Sequence, residues 1–404
     1  MEGPWTEIDG GVTAPAGFQA GAVNCGIRSV KPDVALLVSD SDAVLAGTFT
    51  SNRLAAAPVA LCRERVALGL ARAVIVNSGN ANAATGAQGR KDADRMAALT
   101  AEALGTAPEA ICVCSTGTIG VRMPMEKLEA GIRAVAGALS PDGGAAAARA
   151  IMTTDLVPKE MALALTIEGT PVRIGGMAKG SGMIDPNMAT MLAYVTTDAA
   201  VEAAALQGVL RAAVEDSFNR ITVDGDESTN DTVLCLANGA AGNTPLQPDH
   251  PDWAPFVAAV REVCGQLARM IVKDGEGATK FVTVGVQGAA SDAEARQAAR
   301  AIANSLLVKT SWFGCDPNWG RIYDVVGYAG VQVDPDTIEI RLDDVVAVRD
   351  GLVAGDTDLT SLEAVLKQDE FTVLVDLHVG RGNDTVYTCD CSYDYVRINA
   401  EYTT

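Results

Sequence analysis

Short apolar runs bounded by turns alternate along this chain with longer stretches of helical period, which favours α/β layers over a pure doubly wound sheet. Ala35-Leu-Leu-Val-Ser and Ala73-Val-Ile-Val-Asn read as buried strands. Met96, Leu99 and Ala103 share one stripe of a helix predicted from Lys91 to Leu104. A second helix is expected from near Asp198, a plausible N-cap, with Leu206, Val209, Leu210, Ala213 and Val214 at helical spacing. A third runs from about Ala254 to Ile271 on Val257, Val260, Cys264, Leu267 and Ile271. A fourth opens on Ser291-Asp-Ala-Glu294, a capping-box pattern, and continues through Ile302 and Leu306. Phe371 to Val379 reads as a half-buried strand in which His378 is structural. At 404 residues the chain is long for one core. The break is expected just after the third helix, around Lys273 to Lys280, leaving a larger domain over 1–275 and a smaller one over 276–404. With 40 glycines and 4% aromatics, the core must be built mainly from Ala, Val and Leu between many tight turns.

The charge balance, 31 Lys+Arg against 51 Asp+Glu, is acidic and argues against nucleic acid or an anionic membrane surface as a partner. No run of about 18 apolar residues is long enough to span a membrane, and the acidic start lacks the apolar core of a secretory signal. The nine cysteines include no paired CxxC spacing, and only His250 and His378 could join them as imidazole ligands. They read as reduced core residues of a cytoplasmic protein, with no metal site.

The chemistry centres on Lys179-Gly-Ser-Gly-Met-Ile-Asp-Pro-Asn-Met-Ala-Thr190-Met-Leu. Gly180 and Gly182 open backbone angles closed to other residues, and Pro186 biases Asp185 towards extended geometry. Met191-Leu-Ala-Tyr-Val-Thr-Thr then reads as a buried strand. Threonine is a weak nucleophile, and no His or Cys partner stands out to activate it. Its own free α-amine, with a pKa of roughly 7.7–8, can serve as the base once the chain is cut before it. Cleavage between Ala189 and Thr190 is therefore expected, with Thr190 as the nucleophile of an acyl transfer. The other reading of the segment is an ordinary loop-to-strand junction.

Acyl transfer also needs donors aimed at the developing oxyanion. Cys114-Ser-Thr116-Gly117-Thr118 follows the strand-like Ile111-Cys-Val and is a candidate for that role, or a plain turn. Glu276, flanked by glycines in Asp274-Gly-Glu-Gly-Ala-Thr-Lys280, could hold a substrate ammonium or sit in a solvated turn. The amides of Asn77-Ser-Gly-Asn80-Ala-Asn82 suit either a polar ligand or a satisfied turn. Thr153-Thr154-Asp155, Thr222-Val-Asp224-Gly-Asp226 and Asp316-Pro-Asn-Trp-Gly-Arg321 share that ambiguity. No Walker loop or dinucleotide fingerprint is present.

These segments together resemble the ornithine acetyltransferase (glutamate N-acetyltransferase) family of arginine biosynthesis. The resemblance runs over nearly the whole chain. It rests on Phe49-Thr-Ser-Asn52, Val76-Asn-Ser-Gly-Asn-Ala-Asn82, Ser115-Thr-Gly117, Lys179-Gly-Ser-Gly-Met, Pro186-Asn-Met-Ala-Thr-Met-Leu192, Thr222-Val-Asp-Gly-Asp226, Asp274-Gly-Glu-Gly277, Asp316-Pro-Asn-Trp-Gly320 and Ile398-Asn-Ala-Glu-Tyr-Thr-Thr404. It implies a layered helix/sheet/sheet/helix sandwich with a smaller C-terminal α/β domain. It also implies self-cleavage into an α chain (1–189) and a β chain (190–404) that stay together, commonly as α2β2. By resemblance Thr190 is the nucleophile and Thr116 and Gly117 are the oxyanion donors. Lys179, Thr190, Glu276, Asn399 and Thr404 contact substrate, with one further contact from the Thr-Thr-Asp segment, for which Thr154 is preferred over Thr153. Glu227 departs from the family pattern, which has a small or hydroxyl residue there. The implied reaction moves the acetyl group of N2-acetyl-L-ornithine to L-glutamate through acetyl-Thr190 and uses no cofactor. Acetyl-CoA as a second acyl donor stays open. So do two rivals, an autoprocessed aminopeptidase-like hydrolase and an unprocessed amino-acid-binding protein.

Overall fold

Residues 3–185, 191–355 and 358–401 are described by the structure, a computed structural model. Among them the chain forms two compact units, one of residues 3–219 and 226–271, the other of 220–225 and 272–401. The short return of 220–225 to the second unit has no local sequence signature.

The first unit carries β1 (Trp5–Ile8), β2 (Phe18–Val23), β3 (Val34–Phe49), β4 (Leu70–Asn80), β5 (Ile111–Thr118), β6 (Lys159–Ile167), β7 (Thr170–Lys179), β8 (Leu192–Thr197) and β9 (Thr232–Ala237). Its helices are α1 (Ala57–Leu68), α2 (Gly86–Leu104), α3 (Met125–Ala136), α4 (Gly144–Ala150), α5 (Ala203–Glu215) and α6 (Trp253–Lys273). The strands are hydrogen-bonded in the order β1-β6-β7-β8-β9-β3-β4-β5, with β2 added to β3. The long β3 does two jobs. Its first half pairs with β2 and its second half with β9, and its pairing to β4 shifts register between Val38 and Ala43. Buried residues of these strands belong to one core that includes Leu36, Ile75, Val113, Met177, Leu192, Tyr194, Leu234 and Leu236. The mixed α/β class is as expected.

All six residues of β8 are buried, as its apolar run predicts. It is parallel to β9 and antiparallel to β7. A Cβ on Gly176 of β7 would come within 2.8 Å of Leu267 and Val263, so α6 packs directly on that strand. The predicted stripes of α5 and most of α6 face inward, although Phe256 rather than Val257 is buried at the start of α6. The second helix begins later than expected, after Glu202. Asp198 is not its cap, because its carboxylate accepts N–H groups of Ala16 at 2.9 Å and Arg173 at 2.7 Å.

The second unit contains β10 (Phe281–Ala289), β11 (Glu339–Leu342), β12 (Val345–Arg349), β13 (Leu352–Val353), β14 (Glu370–Asp376) and β15 (Gly382–Cys389) in one sheet ordered β13-β12-β11-β14-β10-β15. Its helices are α7 (Asp292–Asn304), α8 (Leu306–Phe313), α9 (Trp319–Tyr328), α10 (Leu359–Leu366) and α11 (Tyr393–Glu401). Ser291 caps the helix as its pattern predicts, its hydroxyl accepting the Glu294 N–H at 3.2 Å, while Glu294 Oε2 accepts the Gln332 N–H at 2.8 Å. The helix does not continue to Leu306. Ser305 turns extended and its hydroxyl takes the Val308 N–H at 3.4 Å, starting α8 afresh. β14 likewise stops at Asp376, and His378 follows in the left-handed region at φ 51°. Replacing Ser291 with Ala should lower unfolding free energy by about 1 kcal/mol. Urea titration checks it, with the m-value expected to stay unchanged.

Candidate active site

The strand end that carries Thr116 and Gly117 is held in place by amides. β5 runs parallel to β4 with Ser78 opposite Thr116 and Gly79 opposite Gly117. Gly117 sits at φ 130°, and a Cβ there would lie 2.4 Å from the Gly79 carbonyl carbon, so neither the angle nor the space admits a side chain. The Ser115 hydroxyl donates to Asn77 Oδ1 at 2.6 Å, and Asn77 Nδ2 donates to the Asn80 carbonyl at 2.8 Å. Asn80 Nδ2 reaches the carbonyls of Val121 and Arg122, and Asn82 Nδ2 reaches that of Gly89. The three asparagines thus serve the turn itself. From across the sheet, Asn230 Nδ2 donates to the Ser115 carbonyl at 2.9 Å and to the Ala81 carbonyl at 2.7 Å.

Lys179 ends β7, where it pairs in register with Leu192 of β8. It is 2% exposed, and its Nζ lies 3.4 Å from Thr116 Oγ1. One residue on, the Gly180 N–H donates to Asp155 Oδ1 at 2.7 Å. The same oxygen accepts Lys159 Nζ at 2.7 Å, and Asp155 Oδ2 accepts the Thr153 N–H at 2.9 Å. Burial alone would push the Asp155 carboxyl up, but the ammonium groups of Lys179 and Lys159 hold it well below the usual carboxylate range. Arg28 completes the arrangement by donating to the Met152 carbonyl at 2.7 Å and the Thr153 carbonyl at 3.3 Å. Thr154 is therefore half-buried in a bend whose two neighbours are tied down on both sides.

In the second unit Glu276 is buried, not part of a solvated turn. Its Oε2 accepts Asn399 Nδ2 at 2.8 Å, so two of the expected substrate residues meet. Gly277 has φ 68°, and a Cβ on it would fall 2.5 Å from the Tyr395 nitrogen, which lets α11 sit tight against this loop. Asp390 accepts the N–H groups of Thr279 and Lys280, and Ser392 Oγ donates to the Gly277 carbonyl at 2.5 Å. Asp316-Pro-Asn-Trp-Gly-Arg321 builds a turn in which Arg321 donates to the Leu307 carbonyl and Thr310 Oγ1. Thr222 Oγ1 donates to Asn304. Ala189, Thr190 and Thr404 lie outside the described residues.

All nine cysteines are unpaired, and no group of residues suited to a metal ion occurs among the described residues. Burial pushes the Cys264 thiol up to about 12, which keeps it from acting as a thiolate. Lys159 and Asp231 are parts of this region that no motif pointed to, and Asn230 closes the Asp224-Gly-Asp-Glu-Ser-Thr-Asn230 run without a role having been expected for it. Lys159 begins an ordinary strand, and Asn230 and Asp231 are two polar residues of a loop.

Comparison with known proteins identifies the family of the chain. The ArgJ family model matches residues 19–404. The arginine biosynthesis bifunctional protein ArgJ of Symbiobacterium thermophilum is 53% identical over 400 residues, which are 98% of this chain and 99% of that protein. Its counterpart in Geobacter sulfurreducens is 52% identical over 391 residues, 96% of this chain and 99% of that one. A crystal structure of arginine biosynthesis bifunctional protein ArgJ from Bacillus halodurans superposes with a TM-score of 0.50 at 47% identity. That match takes in 98% of the solved chain but 52% of this one.

The Asp155–Lys159 pair is sealed from water, with side chains 0% and 1% exposed. Lys159→Met should lower stability by about 3–5 kcal/mol at neutral pH, because a buried carboxylate loses its partner. The folded carboxyl lies below its unfolded value, so its stabilisation is full above about pH 4 and is lost as pH falls through the lower, folded value. The difference between Asp155→Asn and the parent in denaturant unfolding should accordingly be large at pH 7 and shrink below about pH 4.

Proposed function

The chain belongs to the ArgJ family, an acyltransferase family of arginine biosynthesis, and on that premise we propose that it transfers the acetyl group of N2-acetyl-L-ornithine to L-glutamate. The observation that carries the reading is the approach of Lys179 Nζ to Thr116 Oγ1, with Lys179 in register at the head of β8. β8 begins two residues after Thr190. A cation, a hydroxyl and a glycine with no room for a side chain form a suitable environment for a developing oxyanion.

In the precursor, Thr190 Oγ attacks the Ala189 carbonyl. The peptide C–N bond breaks, an ester forms, and the hydroxyl proton passes to the nitrogen that becomes the new α-amine. Water then hydrolyses the ester and releases the α chain, 1–189, from the β chain, 190–404. In the mature enzyme the α-amine takes the Oγ proton while Oγ takes the acetyl group, and ornithine leaves with its amine reprotonated. Glutamate attacks acetyl-Thr190 and leaves as N-acetylglutamate. Thr116 and Gly117 stabilise both tetrahedral intermediates. Lys179, Thr154, Glu276, Asn399 and Thr404 hold the amino-acid substrates, with Glu276 answering the ammonium group. A solved chain of a relative that matches over 98% of its own length and 52% of this one supports a two-piece mature protein, and we assign its assembly as α2β2. The word bifunctional in the relatives' names supports acetyl-CoA as a second donor to glutamate. No helix among the described residues is long and apolar enough to cross a membrane, and we place the reaction in the cytoplasm.

Thr190→Ala should remain a single full-length species by intact mass and show no acetyl transfer; normal cutting in that variant would exclude Thr190. Glu276→Ala should be cut normally yet lose at least about tenfold in kcat/KM for N-acetylornithine plus glutamate. Release of free acetate in place of N-acetylglutamate would identify a hydrolase instead.

A further inference from the structure

Arg28 is a half-buried cation beside the turn that carries Thr116 and Gly117, and the reading above gives it no task. Its loop is fixed from beneath. The buried Asp33 carboxylate accepts the Arg28 N–H at 2.8 Å and the Cys25 N–H at 2.7 Å, and the Asp33 carbonyl accepts the Ser78 N–H at 2.9 Å. The arginine stem then crosses Gly79, where a Cβ would meet Arg28 Cγ at 3.1 Å and Cδ at 3.8 Å. Gly79 is also the residue against which Gly117 packs. At its far end the guanidinium donates from Nη1 to the Met152 carbonyl and from Nη2 to the Thr153 carbonyl. The side chain therefore runs from the oxyanion turn to the Thr153-Thr154 bend, both of them in the first unit.

A guanidinium offers five N–H groups in a planar fork, and these two carbonyls take two of them. Both acceptors are neutral, and the guanidinium forms no ion pair among the described residues. Lys159 and Lys179, by contrast, share the Asp155 carboxylate and are 1% and 2% exposed. Of these three cations Arg28 alone is partly open to solvent. Both amino acids of the proposed reaction carry a carboxylate on the carbon next to the nitrogen that gives or takes the acetyl group. With the acetyl oxygen at Thr116 and Gly117, only that nitrogen and that carbon separate the carboxylate from the reacting carbonyl. Arginine is the side chain suited to meeting a carboxylate with paired N–H groups. We propose that Arg28 is a specificity-determining residue that takes the α-carboxylate common to N-acetylornithine and glutamate with its remaining N–H groups, while the carbonyls of Met152 and Thr153 hold the fork in place. The proposal rests on the acetyl-transfer reading above. The competing role for Arg28 is a clamp on the two carbonyls. The two roles part when the carboxylate is removed from the substrate instead of the cation from the protein.

Arg28→Gln removes the charge and keeps a donor for a backbone carbonyl. Thermal unfolding follows the fold, intact mass follows self-cutting, and steady-state kinetics follow transfer with N-acetylornithine, glutamate and the α-carboxamide of each. The parent should prefer each acid to its amide by about tenfold or more in kcat/KM, as loss of a charged hydrogen bond implies. In Arg28→Gln the KM for both acids should rise about tenfold or more with kcat little changed, while the amides react as in the parent. Arg28→Lys keeps the charge and should keep part of the preference. Cutting of the precursor should run at the parental rate, because it involves no substrate carboxylate. A clamp alone would slow cutting and lower the turnover of acid and amide by one factor, and that result overturns the proposal. A parent without the preference, or an Arg28→Gln variant that retains it in full, also overturns it. Should Arg28→Gln fail to fold, Arg28→Lys decides: its KM for both acids should rise at least about threefold with the amides unchanged, and parental KM values overturn the proposal. If the parent transfers no acetyl group at all, the proposal falls together with the functional reading; if the parent transfers and the variant discriminates as it does, the proposal falls alone.

Discussion

A carboxylate sealed from water must be met by donors, and in this protein Asp155 meets that condition by drawing three chain segments together. It takes the Thr153 N–H from its own bend, the Lys159 ammonium from the head of β6 and the Gly180 N–H just past β7. Lys179, next to that glycine, is consequently fixed with its ammonium towards Thr116. Remove the carboxylate and the sealed Lys159 ion pair is lost. The local order of the region therefore depends on a pair that costs several kcal/mol to break from one side.

Around this pair the backbone is held by side-chain amides. Gly117 lies against the Gly79–Asn80 peptide with no room for a side chain, and four asparagine amides hold the surrounding carbonyls. Donors fixed in this way stabilise developing charge without reorganising, which is where acyl-transfer sites obtain much of their effect. The loop at Glu276 in the second unit follows the same logic. Asp390 and Ser392 tie its backbone, and Asn399 meets its carboxylate.

Much of the fold was legible along the chain. The apolar runs at 35–39, 73–77 and 192–197 are strands because such runs have no polar face to offer water, and the structure buries them. Ser291 capped its helix as its pattern predicted. Boundaries failed where a side chain found a distant partner: Asp198 went to Ala16 and Arg173, and Ser305 restarted a helix that periodicity would have continued. The asparagine run could be recognised as important, yet its sequence left ligand binding and turn formation equally open. Only the positions of the carbonyls of Asn80, Gly89, Val121 and Arg122 decided for the turn.

By itself, the sequence determined the α/β class, the family and the segments that carry glycine, lysine and threonine chemistry, because these depend on residue type and short spacing. Tertiary structure alone decided that Lys159 is the partner of a buried aspartate, that Asn230 clamps Ser115 and Ala81, and that Asp231 holds Met191. The bonds made by Asn230 and Asp231 span 40 to 149 residues of chain. No periodicity or motif encodes so long a separation. A lysine four residues from an aspartate looks like any surface pair until the fold removes the water around it.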